Sequence, residues 1–563
     1  PLIGLTLALN FAISGSSTWS YHAFNLAVLI VSALALFGIV RRTLLTERLR
    51  QKYATDSMAI AAAVALVWVV HPLLTQSVTY VIQRCESLMG MFYFLTLYCS
   101  IRSASTNSRG KWYAAAISAS AAGMLSKEVM LTAPIVVAVY DVLFLSGKVR
   151  QVIARRWPLY AGLAATWVLL AATMISAPVN NTAGFAVKSI TPWEYFKSEL
   201  AVIVHYIRLS LWPDPLVLDY AWPKALGVVS VLPYAIIVGG LAGATLFGLV
   251  RRRPAAFLGV WFFFILSLTS TFVPFADLAF EHRMFLPLAA IVSSIVLGGH
   301  SVLRRPLSNQ APVAGLIAKS VVVIVVGVLA FSTSRRNLDY RSSLVMWSDV
   351  VNKRPENGRA RNNLGLDLLF AGRLEESEAN LIEAIRLNPQ NGDAFYNLGR
   401  NFMAQGRYEE SIPCFIKALQ IDPTSAEVVF YMGMVREKQG RLSEAIRNYD
   451  MVVEARPNWT GALNHIALVL ATQTDPSLRN VDEATALAER AVALTNGKQA
   501  LPLETLATVY AEAGRFAEAI STLEKARAVA DSSGDSGLAA RLSQKLEVFR
   551  SGHVRPDKAA PQQ

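Results

Sequence analysis

Charge is scarce in this chain. Asp, Glu, Lys and Arg make up 17% of its 563 residues, against 53% hydrophobic. That balance excludes an ordinary soluble domain. Cysteine is scarcer, with three residues. Cys85 and Cys99 fall about four turns apart on one expected helix, beyond disulfide reach. Cys414 stands apart from both. The sequence thus shows neither a disulfide framework nor a metal-ligand spacing. The cofactor is unknown; a divalent cation stays open, with no ligand set visible. The chain opens on Pro1 without a recognisable signal peptide. The run Pro1 to Ile13 reads as the end of an extramembrane loop, with at least one further span expected upstream.

What is present is a series of apolar runs long enough to cross a bilayer. They cover 20–40, 57–72, 87–102, 112–125, 129–145, 157–176, 225–249, 255–273, 284–299 and 312–331. The net charge of +13 gathers beside them, at Arg41 and Arg42, Arg155 and Arg156, Arg251 to Arg253, and Arg304 and Arg305. Such clusters mark cytoplasmic loops. They form no basic face, so nucleic acid is not an expected partner; the lipid bilayer is. Alternation of the spans then puts His71 to Glu86, Lys127 and Glu128, Pro178 to Lys224, Ala276 to Arg283 and everything after Phe331 on the opposite face. Arg335 and Arg336 oppose this orientation. The stretch from Thr191 to Trp212 is apolar but interrupted by Glu194, Lys197, Glu199, His205 and Arg208, which predicts an amphipathic interfacial helix.

After the last span the pattern changes. Pro355, Pro389, Pro423 and Pro457 recur every 34 residues, as do Gly372, Gly406 and Gly440. This is the tetratricopeptide period of helix pairs that stack into a solenoid. Tyr340 to Arg354 reads as the second helix of a repeat, and an insertion near Asp475 to Asn480 stretches the fourth. The expected fold is all-α: a polytopic transmembrane bundle over 1–336, a tetratricopeptide-repeat solenoid over 337–550 and a disordered tail over 551–563. The repeat groove is expected to hold a protein or peptide, with Asn363 and Asn397 in one repeat phase. Asn180 to Thr182 and Asn458 to Thr460 match the glycosylation acceptor pattern.

Polar residues that a membrane body does not need are candidates for chemistry, because each costs several kcal/mol unless paired, about 2.5–3.5 at a helix centre. Three clusters fall on the same expected face: His71 with Gln83, Arg84 and Glu86; Lys127 with Glu128; and Asp277 with Glu281, His282 and Arg283. Arg84, Lys127 and Arg283 could balance a phosphate. Glu86, Glu128 or Glu281 could pair with them or act as a base, and His282 could relay a proton.

The order of these motifs carries a resemblance. His71-Pro72, Val78 to Val81, Gln83-Arg84, Leu125 to Glu128, Pro215-Leu216 with Asp219-Tyr220, and Glu281 to Arg283 with Leu286-Pro287 resemble the transmembrane and tetratricopeptide-repeat O-mannosyltransferases and their bacterial relatives. The resemblance implies a GT-C fold and transfer of a sugar, mannose or another hexose, from a polyprenyl-phosphate donor to a Ser or Thr of a protein acceptor. It implies Glu281 and His282 as catalytic candidates, with the main acidic residue expected before Pro1. Arg84, Glu86, Lys127, Glu128, Asp219 and Arg283 are the implied substrate-binding residues. The setting it implies is a multi-pass protein of a bacterial inner membrane with periplasmic repeats, or of the endoplasmic reticulum with lumenal ones. The alternatives are a non-enzymatic repeat scaffold and a lipid-linked-glycan polymerase or ligase.

Overall fold

A computed structural model describes residues 1–146, 149–176, 184, 185, 187, 189–225, 227–304 and 311–551. Lys148, Arg305, the Asn180 to Thr182 triplet and the tail beyond 551 lie outside the described residues. Among the described residues every regular element is a helix. The chain divides into two compact units, Pro1–Asn357 and Gly358–Gln563.

The first unit contains α1 (Leu2–Ser14), α2 (Trp19–Leu44), α3 (Ser57–Val69), α4 (Arg84–Ala104), α5 (Arg109–Met124), α6 (Ala133–Asp141) and α7 (Val149–Ser176). After these come α8 (Pro192–Leu211), α9 (Val228–Val250), α10 (Ala256–Leu266), α11 (Pro287–Arg304), α12 (Ala311–Leu338) and α13 (Ser343–Lys353). Among the described residues, five helical stretches are long and apolar enough to cross a membrane, and a bent pair makes a sixth. Helix α2 packs on α3 and α4, α4 on α5, and α10 on α11.

The structure corrects several expectations. Pro1 to Ile13 is helical as α1, not loop. The run 255–273 is helical only as far as Leu266; eleven residues rise about 16 Å, half a hydrocarbon core. Beyond it the backbone carbonyl of Thr269 turns to meet the Tyr195 hydroxyl at 2.5 Å and the Arg283 guanidinium at 3.3 Å. The run 157–176 begins earlier and breaks at Arg156, whose φ of −128° leaves the helix two residues before Pro158. Arg156 there pairs with buried Asp141 and donates to the Ser100 carbonyl and Ser103 hydroxyl at 2.5 Å. Helix α13, expected as part of a repeat, groups with the membrane unit.

Thr191 to Trp212 does form one helix. Thr191 and Glu194 close a capping box with Pro192 in the first turn. Its buried face carries Tyr195, Glu199, Val202, Tyr206 and Leu209.

The second unit is built from helix pairs. Gly358–Phe370 precedes Leu374–Leu387, Gly392–Ala404 precedes Tyr408–Ile421, and Ala426–Lys438 precedes Leu442–Ala455. Thr460–Thr472 with Val481–Leu494 and Ala500–Glu512 with Phe516–Ser532 continue the series, which Ser536–Arg550 ends. Gly372, Gly406 and Gly440 hold φ of 73–76° in the tight turns, the left-handed region that glycine enters without strain. Asn397 donates to Asn362 at 3.0 Å, and Asn362 to Asn363 at 3.2 Å, so these amides link successive repeats. Asn458 accepts from Arg490 at 3.2 Å. Gly399 lets two helices meet: a Cβ there would lie 2.6 Å from the fully buried Phe415 ring. Gly399→Ala should lower the repeat unit's unfolding free energy by about 1–3 kcal/mol through overpacking, as read by chemical denaturation. Unchanged stability would show that the helices separate freely.

Candidate functional site

The span after Ser57 cannot run straight. Pro72 starts a new turn, His71 caps it by accepting from the Leu73 amide at 3.3 Å, and the two halves bend by 56°. With Nδ1 thus accepting, Nε2 of His71 carries the proton and donates to the Ser210 carbonyl at 3.2 Å. The bend delivers Gln76 to the turn Glu281–Met284.

Gln76 joins two site candidates. Its amide donates to Glu281 Oε2 at 3.1 Å, and its carbonyl lies 3.2 Å from His282 Nδ1. That polarity puts the imidazole proton on Nδ1 and leaves Nε2 as a lone-pair base. Nε2 sits 3.9 Å from Glu86 Oε1, and Glu86 also receives the ammonium of Lys127. Burial first, then the charges of Lys127 and Arg283, holds His282 well below the ordinary histidine range. It is neutral at pH 7. Burial pulls Lys127 down, but Glu86 and then Glu128 more than offset it, keeping the ammonium charged.

Three segments remote in sequence therefore meet at Glu86, Lys127 and His282. Lys127 is the most accessible of them, its side chain 17% exposed against 4% for Glu86 and 9% for His282. Gly123 allows this approach: a Cβ there would stand 2.7 Å from Met130, in the turn that follows Lys127. Glu128 opens that turn, half-buried, one residue from the ammonium.

Other expected site residues turn inward instead. Glu281 Oε1 accepts from the Val217 amide at 2.5 Å and the Tyr220 hydroxyl at 2.9 Å, with Arg336 at 3.8 Å. Burial raises its carboxyl, and Arg336 opposes the rise. Arg336 also holds Asp339 at 2.9 Å and Asp349 at 3.0 Å. Its charge is paired within the fold, so it does not count as a loop cation. Arg283 donates to the carbonyls of Leu278 at 2.7 Å, Asp277 at 3.0 Å and Thr269 at 3.3 Å, and pairs with Glu199 at 3.3 Å. Burial pushes Glu199 up to about 7, against the pull of Arg283. Arg84 is fully buried; its guanidinium donates to Asn25 at 2.8 Å, the Tyr21 carbonyl at 3.1 Å and Thr6 at 3.4 Å. Asp219 accepts from the Ala221 amide at 3.0 Å and shapes the turn that presents Tyr220.

Gln76, Tyr195 and Asn25 escaped the sequence reading. Their signal was present: each is a hydrogen-bonding group within or beside an apolar run. Among the described residues no group of three His, Cys, Asp or Glu is placed to hold a metal.

Two family models match the chain. One, described as dolichyl-phosphate-mannose-protein mannosyltransferase, covers residues 1–175, which include Glu86 and Lys127. The other, a tetratricopeptide repeat, covers residues 362–426. Protein O-mannosyl-transferase Tmtc2 of Drosophila melanogaster is 29% identical over 243 residues, 41% of this chain and 24% of its own length. The Homo sapiens protein O-mannosyl-transferase TMTC2 is 30% identical over 158 residues, 27% of this chain and 18% of its own. Tmtc3 of Drosophila melanogaster, also a protein O-mannosyl-transferase, is 23% identical over 460 residues, 69% and 48% respectively. The matched region thus spans half or less of each of these relatives. With its apolar helices, the chain is a multi-pass membrane protein. Through its membrane body and its repeats alike, it is similar to the transmembrane and tetratricopeptide-repeat protein O-mannosyltransferases.

Proposed function

We propose that the chain is a membrane glycosyltransferase that moves a hexose, with mannose the first candidate, from a polyprenyl-phosphate carrier to a Ser or Thr hydroxyl of a protein. The convergence of Glu86, Lys127 and His282 is the observation that carries this reading. In the reaction the acceptor oxygen bonds to the anomeric carbon as the bond from that carbon to the phosphate oxygen breaks. The carrier leaves as polyprenyl phosphate, and the hydroxyl proton passes to a base. Lys127, held charged by Glu86 and Glu128, is assigned to the phosphate, where charge grows as the bond breaks. His282 Nε2 is the proton acceptor that this cluster offers.

Glu281 and Gln76 act as positioning residues, fixing the imidazole. Arg84 and Arg283 have their donors engaged inside the protein, so their role is to hold α2 and the 277–284 segment in place. The 1–336 body performs the transfer, and the repeats tether the acceptor and raise its local concentration. The face is the one bearing the outer loops, in a bacterial periplasm or in the lumen of the endoplasmic reticulum.

Incubation of the full chain in nanodiscs with polyprenyl-phosphate mannose, or with GDP-mannose as control, tests the donor. The expected result is acceptor-dependent release of polyprenyl phosphate from the lipid-linked donor alone. Acceptor-dependent release of GDP from GDP-mannose, with no release of polyprenyl phosphate from the lipid-linked donor, would overturn the assignment.

A further inference from the structure

A cavity of about 410 Å³ lies within the membrane unit, away from the polar cluster. Leu36, Leu44, Phe94, Trp261, Ala290 and Gly298 are among its walls. On α2 it lies toward the end remote from Trp19, and along α11 it runs from Ala289 to Ser301, so that it extends toward the arginine-rich loops. Its size falls within the range of small-molecule sites, about 300–1,000 Å³, and its lining is mainly apolar, with the hydroxyl residues Thr43, Tyr53, Ser293, Ser294 and Ser301 among it. Its aliphatic and aromatic walls suit an apolar occupant.

Its mouth has a different chemistry. Leu49 and Tyr53 on one side and Pro254 and Ala255 on the other also line it. The loops carrying them bring Arg48, Arg50 and Lys52 to one flank and Arg251, Arg252 and Arg253 to the other, all exposed. Arg48 donates to the Arg252 carbonyl at 3.1 Å and ties the two loops together. Arg252 itself is held at φ 52°, a left-handed backbone that a non-glycine residue adopts at a cost. A tied, strained rim rich in cations, with Glu47 the exposed acid beside Arg48, thus flanks a mainly apolar chamber.

The geometry points to a binding site for one anionic phospholipid of the leaflet at the arginine loops, one acyl chain in the chamber and the phosphate at the rim. Basic pockets between membrane helices select anionic headgroups in this way. One wall is linked to the segment that follows the His282 turn: Trp261 lines the chamber and donates to the Leu286 carbonyl at 2.8 Å.

Native mass spectrometry of the full chain, after equilibration with mixed phosphatidylglycerol and phosphatidylcholine vesicles, tests this. The wild type should retain one phosphatidylglycerol in about tenfold preference to phosphatidylcholine. Arg50→Gln with Arg252→Gln should lose that preference, at about threefold per cation removed, within the range for a cation near an anionic headgroup. Gly298→Leu should lose retention of both lipids, since Gly298 lines the chamber and a Cβ there meets nothing within 4 Å, leaving room for a larger side chain. Equal retention of the two lipids by the wild type, unchanged preference in the arginine variant, or displacement of phosphatidylglycerol by equimolar polyprenyl phosphate would each overturn the site. If Gly298→Leu is not monodisperse, the two arginine substitutions, at exposed positions, decide alone.

Discussion

Lys127→Met should reduce sugar transfer by about 10²–10³-fold, the usual cost of removing one preorganised group that meets transition-state charge. The expectation follows from how Lys127 is held. Its ammonium is pinned by Glu86, its charge is reinforced by Glu128, and it is the most exposed cation of the cluster. The single substitution also strands the Glu86 carboxylate, which is buried and costly without a partner. Glu86→Gln combined with Lys127→Met separates the two effects. The double variant should regain wild-type thermal stability yet remain inactive. Lys127→Arg should restore only part of the rate, because a planar guanidinium cannot occupy the space of a point ammonium. Rates with a synthetic acceptor peptide, measured beside thermal unfolding in detergent, check all three. Full activity in the double variant would remove Lys127 from the chemistry.

Glu281→Ala should cost about 3–5 kcal/mol of stability, the penalty for breaking a buried ion pair from one side. Glu281 is completely buried, and its loss strands the Tyr220 hydroxyl and the Val217 amide and leaves the Arg336 charge to Asp339 and Asp349 alone. Glu281→Gln should recover most of that loss, since its amide oxygen can still accept from the Val217 amide and the Tyr220 hydroxyl. Its transfer activity should stay low, because Gln76 then loses the carboxylate that orients it toward His282. Thermal unfolding of the purified chain reads the first effect and peptide glycosylation the second. A small change in Glu281→Ala would mean that water reaches the carboxyl. It would then return to the list of candidate bases.

Much of this was legible in the sequence. The 34-residue phase of prolines and glycines located the helix pairs, because each tight turn needs the left-handed conformation at its glycine. The interruption of an apolar run by Glu194, Glu199 and His205 marked α8 as amphipathic. His71-Pro72, Lys127-Glu128 and Glu281 to Arg283 stood out as polar groups in an apolar body, and two of these clusters do meet at Glu86. What the sequence could not convey was direction. Arg84 and Glu86 are two residues apart at the start of α4, yet Arg84 turns to Asn25 and Tyr21 while Glu86 turns to Lys127. Glu281 and His282 are adjacent, yet one is locked against Tyr220 and Arg336 while the other faces the ion pair. A helical or 3₁₀ turn sends neighbours to different faces, and only the packing partners decide which faces matter. Arg336 shows the same limit in charge counting. As a loop cation it contradicted the orientation; as the partner of Glu281, Asp339 and Asp349 it does not.

The most direct test of the central claim is glycopeptide mass spectrometry on a Ser- and Thr-containing peptide incubated with the full chain and polyprenyl-phosphate mannose. The expected result is one hexose per modified Ser or Thr, carried by the peptide and absent with Lys127→Met. No hexose on the peptide alongside wild-type donor binding, or equal modification by wild type and Lys127→Met, would contradict it.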